Sequence, residues 1–258
     1  MNTFLYAIIF IIGTFFGSFF TLAVYRIPKK EDILIKHSYC PNCDHKLGFF
    51  DLFPVLSYVF LGGKCRYCGN KIRPRYLILE LLSGFTFLIT AISLKIDFNN
   101  MSSVIHLIVL LLYISVLFII AGIDKEKIQI QKNVVLFGFI IEVIYIIYQC
   151  ALKFNNVYQY VIYLILLALV LLFSNICLKI NRKEKYYIQI LYLLLYIIVF
   201  CGSKLFIITT ILSLIMISIY SIVNISKKSE KKMPIGFFLS ISNIVIIIIS
   251  NILMNYVI

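Results

Sequence analysis

The chain has 258 residues, 62% of them hydrophobic and 14% charged, with a mean hydropathy of +1.02. Soluble domains hold about 45–50% apolar and about 25% charged residues, so a soluble globular fold is excluded and the excess must face lipid. The net charge of +13 suggests nucleic acid only in a soluble protein. Here basic loops that fix orientation and meet anionic lipid account for it, and no nucleic-acid partner is expected.

The apolar run from Phe4 to Val24 lacks a basic flank ahead of it and is long enough to span, so it reads as a membrane helix and not a cleavable signal. A span needs roughly 20 apolar residues, and on that rule the chain holds about eight. They lie at 4–25, 76–94, 103–123, 134–152, 157–178, 187–202, 205–225 and 235–254. The sixth is short and runs almost directly into the seventh at Cys201-Gly202-Ser203-Lys204. The expected fold is an all-α polytopic membrane bundle. Its long polar segment is the loop 26–75.

Charge orients it. Of the 24 basic residues, 21 fall in the loops near 26–75, 124–133, 179–186 and 226–234; Lys95, Lys153 and Lys204 are left for the other side. The positive-inside rule makes the first group cytoplasmic and both termini extracytoplasmic.

Within the first loop stand Cys40-Pro41-Asn42-Cys43 and Cys65-Arg66-Tyr67-Cys68. Two residues between cysteines let a tight turn aim both sulfurs at one ion, and two such turns complete a tetrahedral thiolate site. A pair of disulfides is the rival reading, disfavoured on a cytoplasmic loop. A closed set of Cys40, Cys43, Cys65 and Cys68 makes zinc structural, since no position is left open for chemistry. His37 and His45 flank the first knuckle and are expected at the surface. Cys150, Cys177 and Cys201 sit in apolar runs and read as small hydrophobes.

These residues carry a resemblance. Gly17-Ser18-Phe19, Tyr25-Arg26-Ile27-Pro28, Ser38-Tyr39-Cys40-Pro41-Asn42-Cys43, Asp51, Pro54, Leu56-Ser57-Tyr58, Gly62-Gly63-Lys64-Cys65-Arg66-Tyr67-Cys68, Arg75-Tyr76 and Glu80-Leu81-Leu82-Ser83-Gly84 follow one another in register. The run resembles the bacterial type IV prepilin peptidase family, bifunctional leader peptidases and N-methyltransferases. Pro234-Ile235-Gly236-Phe237-Phe238-Leu239 is similar to the start of that family's last helix. The resemblance implies an N-terminal domain over 1–94 that carries the zinc loop, and a membrane aspartyl-peptidase-type domain over 95–258. It implies cleavage of the leader from type IV pilin-like precursors at the cytoplasmic membrane face. Methylation of the new amine with S-adenosylmethionine follows, with Gly63 and Lys64 at positions tied to that activity.

Hydrolysis of this kind needs two carboxylates that share a proton and activate one water. Gly122-Ile123-Asp124 closes an apolar helix, where the family's first Asp lies; on spacing alone Asp124 is an ordinary interfacial acid beside Lys125 and Lys127. The family's second Asp, in a Gly-x-Gly-Asp motif roughly 60 residues later, has no counterpart, because no aspartate follows Asp124. The expected place, about 182–190, reads Arg-Lys-Glu-Lys-Tyr-Tyr-Ile-Gln with no glycine. Glu184 is the stand-in at the right depth, though Lys183 and Lys185 suit a solvated charge cluster better. Glu142 lies about 13 Å into the fourth span at 1.5 Å per residue, too deep to pair with Asp124. It is expected to be neutral and hydrogen-bonded between helices. The readings are therefore a prepilin peptidase and methyltransferase, or a non-cleaving member that methylates or only binds precursors. A transporter or channel with a structural zinc loop is the alternative from another class.

Overall fold

The computed structural model describes residues 2–33, 37–151, 185–226 and 233–257, with Ile162 and Ile165 besides. Among them are seven α-helices and no strands, only two isolated antiparallel bridges. The chain divides into two compact units, Met1–Leu107 and Ile108–Ile258.

In the first unit, α1 (Asn2–Arg26) is apolar along its whole length and stops where Pro28 follows, in a short 3₁₀ turn over Ile27–Lys29. Arg26 is buried at that end and its guanidinium donates to the carbonyls of Asp32, Ile33 and His37, which gathers the start of the loop under the helix. After a one-turn helix α2 (Leu56–Phe60), α3 (Arg75–Ser93) returns antiparallel to α1. Gly13 and Gly17, spaced four apart, let α3 approach to contact. A Cβ on Gly13 would stand 2.8 Å from Gly84 Cα, and one on Gly17 would stand 2.7 Å from Glu80 Cα. Ser83 adds a hydrogen bond to the Gly13 carbonyl at 2.7 Å. Small residues on facing helices are how membrane spans pack when lipid removes the hydrophobic drive.

In the second unit, most of α4 (Met101–Lys127) packs with α5 (Lys132–Ala151), α6 (Lys185–Ser226) and α7 (Ile235–Val257). Tyr113 stacks on Phe200 at 3.8 Å and on Tyr196 at 4.8 Å between ring centroids. Asn243 is the polar hub: it accepts from Tyr113 at 2.7 Å and donates to Cys201 Sγ at 3.3 Å and Thr209 Oγ1 at 3.2 Å.

Six described helices are long and apolar enough to cross a membrane. The expected sixth and seventh spans are joined without a loop: α6 is helical on both sides of Gly202 alone, which adopts φ 73°, ψ 173°. That conformation is open essentially to glycine. At 1.5 Å per residue the 42 residues of α6 reach about 63 Å, twice the roughly 30 Å of hydrocarbon, so the break separates two spans. The expected fifth span, 157–178, falls outside the described residues except for Ile162 and Ile165. The all-helical membrane bundle is thus the fold.

Candidate functional site

The four cysteines of the loop come together as expected. Their sulfurs all lie within 4.8 Å of one another, and Cys40 Sγ stands 3.9 Å from Cys68 Sγ. A tetrahedron of sulfurs about 2.3 Å from zinc has edges of about 3.8 Å, so the set fits a structural zinc.

The two knuckles are built alike. In the first, Cys40 N–H donates to His45 O and Asp44 N–H to Cys40 O; in the second, Cys65 N–H donates to Asn70 O and Gly69 N–H to Cys65 O. Each turns through one left-handed residue, Asp44 (φ 53°) and Gly69 (φ 69°), and each is closed by a bridge, Tyr39 with Lys46 and Lys64 with Lys71. Cys40 and Cys65 are buried, Cys43 and Cys68 exposed. Backbone N–H groups of Cys68 and then Tyr67 aimed at the Cys65 sulfur draw its thiol down to about 7. On Cys43 the His45 N–H pulls the same way, but desolvation and the thiols of Cys68 and Cys40 outweigh it and push Cys43 up to about 12. Four sulfurs this close cannot all ionise against one another; a divalent cation at their centre removes the conflict.

His37 and His45 are exposed, as expected, and the His45 ring lies on Tyr67 at 3.6 Å between centroids. A tie that the sequence did not announce is Asp51. Its carboxylate accepts from Arg66 Nε at 2.7 Å, Tyr67 Oη at 3.2 Å and Gly48 N–H at 3.1 Å. Burial raises the Asp51 carboxyl, but the Gly48 N–H, Arg66 and Tyr67 prevail and hold it below the usual carboxylate range. Asp51 thereby pins the two residues inside the second knuckle to the segment that joins the knuckles. Gly63 is buried beneath Tyr58, with φ 67°, while Lys64 is exposed.

Asp124 is fully buried near the C-terminus of α4, against the first turn of α7. Its Oδ2 accepts from Phe237 N–H at 3.0 Å and from Tyr186 Oη at 3.1 Å. Tyr186 Oη in turn accepts from Ile235 N–H at 3.0 Å. The first N–H groups of a helix lack partners within it and carry partial positive charge, so a carboxylate there is favoured. Asp124 and the Pro234–Leu239 segment, read separately in the sequence, are thus two halves of one arrangement. Oδ1 of Asp124 has no hydrogen-bond partner among the described residues.

The residue that reaches Asp124 from about 60 positions on is a phenol: Tyr186, within the stretch expected to hold the second acid. Sequence reasoning passed over it because only carboxylates were sought there. A Gln189 side chain accepting from Ile130 N–H at 3.2 Å holds the start of α6 in place. Glu184 lies outside the described residues. Glu142 corrects an expectation: it is buried, but neither oxygen has a hydrogen-bond partner among the described residues. Cys201 is corrected likewise, since its sulfur accepts from Asn243 and is no mere hydrophobe.

Residues 11–94 match the family model described as the Bacterial Peptidase A24 N-terminal domain. Several curated proteins named prepilin leader peptidase/N-methyltransferase are similar to the chain. The one from Bacillus subtilis is 33% identical over 131 residues, covering 51% of this chain and 50% of the relative. That from Klebsiella pneumoniae is 32% identical over 124 residues (46% and 51%), and that from Vibrio cholerae 40% identical over 87 residues (30% and 34%). The chain therefore spans about half or less of the length of these relatives. No solved structure matches. The matched segment contains the knuckles and the α1–α3 pair, so the likeness to the Bacterial Peptidase A24 N-terminal domain falls on residues 11–94, and proteins named prepilin leader peptidase/N-methyltransferase are what the chain is similar to.

Proposed function

We propose that this protein acts on type IV pilin-like precursors at the cytoplasmic membrane face, as a prepilin-peptidase-type protein whose methyl-transfer half outlasts its cleaving half. The observation that carries this reading is the contrast between the two sites. The knuckle domain has all four sulfurs within reach of one ion, whereas among the described residues Asp124 is bonded to a phenol and to no second carboxylate. A phenol ionises far above neutrality and cannot share a proton with Asp124 as a second acid does.

On this reading zinc orders the loop, and Gly63 and Lys64 contribute to the S-adenosylmethionine site. The test is a pre-cleaved pilin peptide with a free N-terminal phenylalanine, offered to membranes with labelled S-adenosylmethionine. Label should enter the peptide and fall to background in Gly63→Ser. Equal labelling of both proteins, or none in either, would count against it.

The charge split supports a cytoplasmic zinc loop with both termini outside. Reporter fusions after residue 50 and after residue 258 should report opposite compartments; the same compartment for both would mean an odd number of spans.

A further inference from the structure

The loop between α1 and α3 holds a segment unlike its polar surroundings. Phe49, Phe50, Val59 and Phe60 are 69%, 77%, 62% and 84% exposed. Leu52 and Leu56 are also exposed. Contiguous apolar surface of this kind marks a binding face.

Its place is fixed by contacts to the two spans. The Phe53 ring packs on Phe15 at 5.2 Å between centroids, and Phe15 lies eleven residues from the Arg26 end of α1, about 16 Å along the helix at 1.5 Å per residue. Val55 N–H donates at 2.8 Å to Glu80 Oε2, on the second turn of α3. Val55 itself has φ 63°, ψ −55°, and Leu56 N–H bonds Pro54 O at 2.6 Å, which is a tight γ-turn. A β-branched residue is strained there and stays only when its surroundings hold it. The buried Glu80 carboxylate is that clamp, and it keeps the segment against the spans.

Exposed cations lie in the same loop: Lys64, Lys71 and Arg73. An apolar face rimmed by Lys and Arg is the pattern of a segment lying in the membrane interface, its face about 5–10 Å into the headgroup–acyl boundary.

We propose that residues 49–60 form an interfacial wedge whose apolar side chains insert into the leaflet on the zinc-loop side. Phe53 and Glu80 anchor the wedge to α1 and α3, and the exposed cations of the same loop meet anionic headgroups. The wedge holds the zinc knuckles down on the membrane surface, because Asp51 inside it grips Arg66 and Tyr67 of the second knuckle.

The chain contains no tryptophan, so Phe50→Trp and Phe60→Trp each give a single fluorophore in the full protein. Both would be reconstituted in vesicles of phosphatidylcholine and phosphatidylglycerol brominated along the acyl chains, with Lys46→Trp as a knuckle control. Both wedge variants should lose most of their emission to the brominated lipid and resist iodide, while the control responds to iodide. Iodide quenching of both without lipid quenching overturns the proposal. Protection from both quenchers also overturns it, since protein and not lipid then covers the patch.

Discussion

Purified protein is expected to carry one zinc ion per chain and to lose it in a Cys40→Ser, Cys65→Ser double variant, with the knuckle domain unfolding. These two cysteines are the buried pair, one from each knuckle, so the variant removes the inner ligand from both turns. Between the bridges of the two knuckles few apolar side chains are buried, so little else holds them together. Structural zinc supplies apparent free energies of about 10–16 kcal/mol at neutral pH, as much as a small domain's whole stability. Metal analysis and limited proteolysis of the loop in detergent read both halves of the prediction. Zinc near zero in fresh wild-type protein, with four titratable thiols, would sink it. An Asp51→Ala variant should retain zinc but release it faster to chelator, because the ligands remain while Arg66 and Tyr67 lose their anchor.

The second large effect is expected at Asp124. Wild-type protein should cleave a pilin-like precursor weakly or not at all, and Tyr186→Asp should raise cleavage by about a hundredfold, the order of what a positioned acid–base group contributes. The phenol oxygen already sits 3.1 Å from Asp124 Oδ2. An aspartate on the same backbone ends a ring's length short of that point, opening room for about one water, roughly 30 Å³, between two carboxylates. Whatever cleavage is seen should vanish in Asp124→Asn. The amide keeps an acceptor for Phe237 N–H, so the start of α7 stays capped and the loss reads as chemistry. Asp124→Ala, by contrast, leaves that N–H and the Tyr186 hydroxyl without their acceptor, at about 1–3 kcal/mol for a buried polar group left unmade. Glu184→Gln is the discriminating arm. If wild type cleaves well and loses activity in this variant as it does in Asp124→Asn, Glu184 is the second acid and the Tyr186 reading falls. If a well-folded Tyr186→Asp protein gains nothing, the two-carboxylate mechanism does not apply to this chain.

Much of the metal site was legible before any coordinates. Two Cys-x-x-Cys turns specify their own geometry, because the hydrogen bonds that shape each knuckle run between residues at most nine apart, such as Cys40 to His45 and Leu47 to Ser38. The acid site was legible only by halves. Asp124 and the Pro234 segment each drew notice, but what joins them is a hydrogen bond across 113 positions to Phe237. Tyr186 was not legible at all, since a tyrosine at a helix start in a tyrosine-rich chain is normally an interfacial anchor.

By itself the sequence determined the membrane class, the spans that fall among the described residues and the four-sulfur site. Each of these depends on local quantities: the length of an apolar run against the bilayer, and the spacing of cysteines along a turn. Only the tertiary structure decided that α6 breaks at Gly202 without a loop. It alone brought the α7 N-terminus and a phenol to Asp124, left Glu142 without a hydrogen-bond partner among the described residues, and clamped the 49–60 segment to α3 through Glu80. These outcomes depend on which distant groups meet when helices pack. Nothing in the periodicity of any one helix records which donor on a neighbouring helix a buried carboxylate will find.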